Sequence, residues 1–552
     1  MNMKKTIVSI LLTLVYAFVA FWFMLPAINL RSKDFYIYVI TVIVVYLIVS
    51  LFLKGSTVIH DSVKSRSINF SGVKGSSIVT KILLGIIAVC IVVIVGGTLI
   101  SAEIFHASAY QKLMPVEERD FTEDISQISL KDVPVVDRDS AVRLGDRKLG
   151  ELVEFVSQFE VDESAYSYTQ INYKGVPTRV APLMYGDIIK WFNNQSEGIP
   201  AYISVDMTTQ DVTLHRLEEG IRYSPGELFF RKLDRHLRFS YPTYIFDDSY
   251  AFEIDDDGNP YWICPVIDYR IGLFGGKDIK GVVIMDAQNG SSQYYPIEEV
   301  PQWVDQAYSS DIVINQIDYW GKYKKGYLNT IFGQKEMSHT SGGYNYLAQD
   351  DDVWIYTGLT STGNDQSNIG FVLVNLRTKE ARYYPVSGAT EHSAMSSAEG
   401  QVQHLGYQAT FPILLNVANQ PTYFLSLKDN AGLVKQFAYI NVERYQEVAI
   451  GSTINEAYNQ YLKLVGSNAD ASMDESSLKT ETQIVKAVSS AVKDGNTYYY
   501  VQLENSDQIF TASIQLNDIL AVIKPGDTVS VKYVDTQTQF TDINEIELVK
   551  QS

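Results

Sequence analysis

GVVIMDAQNGSSQYYP (281–296) reads as a strand, a turn at Asp286 to Gly290 and a return strand ending in Tyr294-Tyr295-Pro296. From Gly370 the chain reads GFVLVNLRTKEARYYP, identical at five of sixteen positions. Related runs end in an acid or amide at AYISVD (201–206) and AYINVE (438–443), each followed by another short strand: DVTLHR, SSQYYP, EARYYP and QEVAIG. Some 20 to 30 residues upstream of three of these runs stands a hairpin: INYKGVPTRVAPL (171–183), EIDDDGNPYWICPV (253–266) and LLNVANQPTYFLSL (414–427). YNYLAQDDDVWIYTGL (344–359) repeats that pattern without the proline. Gly or Asn supports positive φ in such a turn, and Pro beside it breaks no interior ladder bond. Helix-like segments close the units at 225–239, 298–308, 393–407 and 453–465. The recurrence predicts four tandem antiparallel β/α units, 166–245, 246–325, 340–410 and 411–465, marked by Asp206, Asp286, Asn375 and Glu443 and by Pro177, Pro260 and Pro421.

Upstream of the repeats the composition changes. Residues 6–30, 35–53 and 82–100 are almost free of charge. Each is long enough to cross the roughly 30 Å hydrocarbon layer as a helix. The region 1–101 is therefore expected to form three transmembrane helices, the first two as a hairpin. The first run is too long for a signal peptide and has no Ala-x-Ala site. Lys4, Lys5, Lys54, Lys64, Arg66, Lys74 and Lys81 on one side outnumber Arg31, Lys33, Lys112 and Arg119 on the other. That bias predicts a cytoplasmic N-terminus and an extracytoplasmic 102–552, hence a multi-pass cell-membrane protein. Residues 102–165 read as a stalk and helical segment.

After a Ser- and Asp-rich linker (466–478), five short strands in 479–552 predict a small β-barrel of OB-like or SH3-like type. The fold class is α+β. A formal charge of −19 for the chain opposes nucleic acid as a partner, and residues 479–552 hold six Lys, no Arg and ten acids. Cys90 and Cys264 offer the soluble part no disulfide.

Chemistry-bearing patterns are sparse. EIDDDGNP fails as a calcium loop because position twelve is Cys264, so it and QDDDVW (349–354) read as solvated hairpin tips. Seven scattered histidines include no H-E-x-x-H. His392 stands beside Ser393, Ser396 and Ser397, but no G-x-S-x-G elbow accompanies them. No catalytic, metal or cofactor residue is assigned. Thirty-seven tyrosines suit glycan or protein recognition as well as half-exposed sheet faces, which makes Tyr294, Tyr295, Tyr383 and Tyr384 the candidate recognition residues.

The strand–Asp-x-x-x-Gly–strand piece VVIMDAQNGSSQYY resembles the PepSY type of module, cleanly at 281–295; at 370 Asn375 and Lys379 replace Asp and Gly. Over 1–465 the chain resembles a broad set of Gram-positive membrane proteins sharing phrases such as KLGELVEFVSQFEV, HLRFSYPT, DIKGVVIMDA and QSNIGFVLVN. Some of these are labelled colicin V production proteins, although that family is a small membrane protein without such an ectodomain. The PepSY resemblance implies peptidase regulation. The reading is thus a membrane-anchored extracytoplasmic binding or scaffold protein and not an enzyme. Its partner would be an envelope protein, a protease or a glycan. The alternatives are a component of a membrane transport or assembly complex, or an envelope enzyme with dispersed residues.

Overall fold

A computed structural model describes residues 3–65, 78–127, 133–162, 168–349, 351–361, 367–465, 478–493, 496–506, 508–514, 516–534 and 540–549. Arg66 and Lys74, the linker 466–477 and the turn residues Asp494 and Gly495 lie outside the described residues. The architecture is mixed α+β behind three apolar helices: α1 (Met3–Met24), α2 (Lys33–Ser65) and α3 (Ile78–Ile100). Each contains a stretch long and apolar enough to cross a membrane. The first two pack as a hairpin, with Tyr38 Oη donating to the Ala17 carbonyl.

The expected stalk is instead part of the body. Just after α3, α4 (Glu103–Gln111) buries Ala107 and Tyr110. Val116–Glu118 then pairs in parallel with a strand of the third repeat. The amide of Val135 donates to the Met207 carbonyl, and α5 (Arg138–Gly150), capped by Asp137, packs on the first sheet. Apolar residues at Val133, Val135 and Val136 are almost fully buried, which a free-standing stalk would not allow.

Four antiparallel four-strand meanders follow. The first has β1 (Thr169–Tyr173), β2 (Val176–Tyr185), β3 (Ile199–Asp206) and β4 (Val212–Ile221), with α6 (Ile188–Asn194) inserted after β2 and α7 (Leu233–Ser240) at the end. The second has β5 (Ala251–Ile254), β6 (Pro260–Ile271), β7 (Gly275–Asp286) and β8 (Ser292–Pro296), then α8 (Ser310–Lys322) and α9 (Tyr327–Phe332). The third has β9 (Asn345–Gln349), β10 (Asp352–Ser361), β11 (Ser367–Asn375) and β12 (Ala381–Tyr384), then α10 (Glu391–Gln401). The fourth has β13 (Ile413–Val417), β14 (Gln420–Lys428), β15 (Val434–Asn441) and β16 (Val448–Gly451), then α11 (Ile454–Val465).

Two helices differ from expectation: of 225–239 only the part from Leu233 is α-helical, after a single 3₁₀ turn at Phe229–Arg231. Residues 298–308 are largely irregular, and the helix of the second unit is α8. Pro301 drives Val300 into extended backbone (φ −63°, ψ 129°), which ends the short turn at 297–299.

Strand alternation divides the core. Trp262 and Cys264 of β6 face a cluster shared with the first and fourth sheets and with Trp354 and Tyr356 of β10, while Ile263 and Ile267 face a second cluster with Val353 and Ile355 of β10 and Ile312 and Val313 of α8. The second and third sheets are therefore buried on both faces. Residues 478–548 form a closed five-strand barrel of β17 (Leu478–Lys493), β18 (Asn496–Leu503), β19 (Ile509–Ser513), β20 (Thr528–Val534) and β21 (Phe540–Leu548). Its order is β17-β18-β19-β21-β20, with β19 and β21 parallel.

Candidate functional site

The repeat markers form one locked turn, used four times. After β3, Asp206 Oδ1 accepts from the amides of Thr208 and Thr209, and the Met207 amide donates back to the Pro177 carbonyl. After β7, Asp286 Oδ1 accepts from Gln288 and Asn289, and Ala287 donates to the Pro260 carbonyl. After β11, Asn375 Oδ1 accepts from Arg377 and Thr378, and Leu376 donates to Val353. After β15 the residue in this role is Asn441: its Oδ1 accepts from Glu443 and Arg444, and Val442 donates to the Pro421 carbonyl. Glu443 is thus not the fourth marker. The terminal acid of AYINVE suggested it, whereas the strand ends two residues earlier. The prolines place an acceptor at the start of the second strand, and Val353 supplies it where proline is absent. Gly290, Gln210 and Lys379 share a left-handed backbone at φ 77°, 68° and 65°. In these three turns the geometry is common where the glycine is not; the fourth is one residue longer, closing from the Asn441 amide to the Glu447 carbonyl.

The Tyr-Tyr-Pro recurrence has its own cause. A Cβ on Gly281 would lie 2.7 Å from Tyr294 Oη, and one on Gly370 would lie 2.8 Å from Tyr383 Oη. Each tyrosine covers its glycine diagonally across the strand pair and donates to the preceding carbonyl, that of Lys280 (3.1 Å) or Ile369 (3.0 Å). Tyr295 packs against the second core cluster, and Tyr384 is fully buried with its hydroxyl on Asp124. These tyrosines hold the scaffold together; Tyr384 is buried, whereas Tyr294, Tyr295 and Tyr383 stay half-exposed. QDDDVW departs from expectation too: Asp352 is buried, paired twice with Arg377 (2.6 and 2.8 Å) and bonded by the Asn375 amide (2.8 Å). At EIDDDGNP, Asp255 accepts from the amides of Asp257 (3.0 Å) and Asn259 (2.8 Å), an ordinary turn lock. Cys264 is fully buried, and burial pushes its thiol pKa up.

The first strands of three sheets converge, β1 lying against β5 and β9. Between them is a cavity of about 450 Å³ lined by Arg138, Gln170, Arg179, Ser309 and Tyr346 among others. Arg179 is buried. Nη1 donates to the Tyr168 carbonyl (3.0 Å) and Nη2 to Gln170 Oε1 (3.3 Å), both neutral acceptors. Burial pulls its pKa down. Among the described residues, Arg179 Nε, Gln170 Nε2 and Ser309 Oγ have no hydrogen-bond partner. A buried guanidinium with only neutral acceptors is costly, and an anion in the cavity would complete it with charge-assisted bonds.

One wall is held by a carboxylate clasp. Glu253 accepts from the amides of Asp305 (2.8 Å) and Gln306 (2.9 Å), and Asp305 Oδ2 accepts from the Asn172 amide (2.7 Å). Desolvation raises both carboxyl pKa values, that of Glu253 to about 7, against the pull of those amides. The Gln306 side chain donates to the Gln170 carbonyl, coupling the clasp to β1.

A second, wider groove of about 720 Å³ gathers His339, Thr360, His392, Ser393, Ser396 and Ser397. His339 Nε2 lies 3.3 Å from Thr360 Oγ1, and the Ser393 hydroxyl is 2.9 Å from that of the helix cap Thr390. His236, by contrast, bonds the Gly290 carbonyl (2.9 Å) and packs on Tyr223. Among the described residues no group of three His, Cys, Asp or Glu side chains is arranged to hold a metal ion. The chain matches no protein-family model and no curated protein.

Proposed function

We propose that this chain is a membrane-anchored binding and scaffold protein of the cell envelope, with its four-sheet body on the extracytoplasmic side. The ligand we assign to the cavity between β1, β5 and β9 carries a carboxylate or similar anionic group. The observation behind this is buried Arg179, which faces that cavity with only neutral hydrogen-bond acceptors among the described residues. In a chain of net charge −19, two arginines against one acid, Asp311, in the lining make this cavity a local reversal of sign. The resemblance of 281–295 to PepSY modules favours an envelope protease or its peptides as the partner. The barrel order β17-β18-β19-β21-β20, with its parallel β19–β21 pair, supports an OB-like reading, here as a second docking module.

Protease accessibility of the body on intact cells tests the side of the membrane. Titrating the full chain with carboxylated peptides and uronic-acid oligosaccharides tests the cavity. Saturable binding to one of these probes, weakened at least tenfold by Arg179→Met, is expected. Binding that Arg179→Met leaves unchanged, or no binding of either probe, contradicts the cavity assignment.

The groove around His339 and His392 favours a second reading, an envelope hydrolase. Hydrolysis of an ester or peptide panel, lost in His392→Ala, would select it over the first.

A further inference from the structure

We infer that the soluble body lies directly on the bilayer, inserting two apolar faces into the boundary between headgroups and acyl chains. This rests on reading α1 to α3 as spanning helices. The first face is built around the outer end of α1. Trp22, two residues from the end of that helix, packs edge-on against Phe230 at 4.8 Å between ring centroids. Phe239 lies 6.0 Å from Trp22 and 5.5 Å from Phe21. The Arg235 guanidinium sits over the Trp22 ring at 4.1 Å, and Arg238 Nε donates to the Leu25 carbonyl at 2.8 Å. Side chains of the body therefore reach the depth of the last turn of a spanning helix.

From there the apolar surface runs outward through Phe229 and Phe230, both more than half exposed. Phe229, beside Phe230, packs on Trp191 of α6. On α6, Ile188, Ile189 and Phe192 share one helix face and are all exposed, Phe192 by 56%.

The second face surrounds the outer end of α3. Ile104 and Phe105 are exposed immediately beyond it. Tyr327, the first residue of α9, joins Thr98 and Ser101 of the α3 end in lining one small depression. On α9, Leu328, Ile331 and Phe332 follow the i, i+3, i+4 spacing of one face, and Phe332 is 83% exposed. Two such faces, each continuous with the lipid-facing surface of a spanning helix and level with its outer turn, match an interfacial seat. The body is also fixed to the helix ends by the Pro242 carbonyl on the Ile28 amide (2.7 Å) and by Ser101 Oγ, which accepts from Leu273 and Phe274. Those bonds hold both faces at membrane level.

The test uses the full chain in phospholipid nanodiscs carrying nitroxide lipids. Single fluorophores go on Phe192→Cys and Phe332→Cys, with Ile189→Cys as a second probe of the first face. Val92→Cys in α3 (68% exposed) and Val522→Cys on the barrel (63% exposed) are the membrane and water references. The unsubstituted protein gives the background from Cys90 and Cys264. Labels at 192, 189 and 332 should be quenched by headgroup-level nitroxide several-fold more than Val522→Cys and be protected from aqueous iodide. Iodide quenching equal to Val522→Cys, with Val92→Cys still quenched by acyl-chain nitroxide, overturns the inference while leaving the spanning helices in place. Loss of quenching at Val92→Cys overturns the spanning reading itself. Protection from both lipid and water quenchers means that a protein partner or a second copy covers the faces, which also overturns it.

Discussion

The second and third sheets carry the same device with different side chains, and the differences show which roles are obligatory. In the second sheet the turn acid is Asp286, whose second oxygen accepts from the Asn289 side chain (2.5 Å), and the left-handed position is Gly290. In the third, Asn375 also donates to buried Asp352, so an amide is required there. At the left-handed position of the third sheet stands Lys379. Its ammonium lies 5.5 Å from the centre of the Tyr308 ring and crosses to Asp278 of the second sheet at 2.6 Å. At Gly290 a Cβ would lie 2.5 Å from the Tyr223 ring, so glycine is fixed by packing as well as by φ. The geometry is repeated; the residues follow what each copy touches.

That contrast is open to mutation. Asn375→Asp sets a second buried carboxylate against Asp352 and is expected to cost about 3 kcal/mol, measured by denaturant unfolding of the full chain in detergent. The reciprocal Asp286→Asn should cost only about 1 kcal/mol; equal costs would mean that the two turns do not differ in the way described. Gly290→Ala should lose about 2–3 kcal/mol through overpacking and left-handed strain. Gln210→Gly, at a similar left-handed φ in the first sheet, should instead gain up to about 1 kcal/mol by removing the strain of a side chain there.

The clasp of Glu253 and Asp305 gives a pH signature. Their native pKa values lie above those of the unfolded chain, so the folded protein holds the extra protons. Stability from this source is full below about pH 4.5 and is lost as pH rises toward about 7. Asp305→Asn should flatten that fall, read as the change in unfolding midpoint from pH 4.5 to 7.5. A slope identical to that of the unmutated chain would refute the assignment.

Much of this organisation was readable in the sequence. Three charge-free runs, four hairpins and the five barrel strands all stand where apolar periodicity and turn residues placed them, because both signals are local. The second unit's helix is expected too early because EEVPQWVDQAY (298–308) has helix-like apolar spacing, whereas α8 opens with Ser309 at its cap and Asp311 in its first turn, a start pattern present in the sequence. Glu443 has the residue type of a marker, but the strand ends at Asn441 and that side chain locks the turn. The cavity was not legible: Arg138, Gln170, Arg179, Ser309 and Tyr346 come from separate elements and meet only when three sheets converge. The two apolar faces are equally hidden, since Phe192, Phe230 and Phe332 look like ordinary amphipathic residues until the fold brings Phe230 against Trp22 and α9 beside the α3 end.

Four sheets share one lock, an amide after the marker residue bonded back to the start of the second strand. Hydrogen exchange resolved to the amides of Met207, Ala287, Leu376 and Val442 tests this most directly. Each follows the marker residue at a strand end, and each donates to the start of the second strand. All four should exchange slowly, at rates like those of the neighbouring ladder amides. If Val442 or Leu376 exchanged at the rate of an open loop while Met207 and Ala287 stayed protected, the repeat would be one of sequence phrases and not of structure.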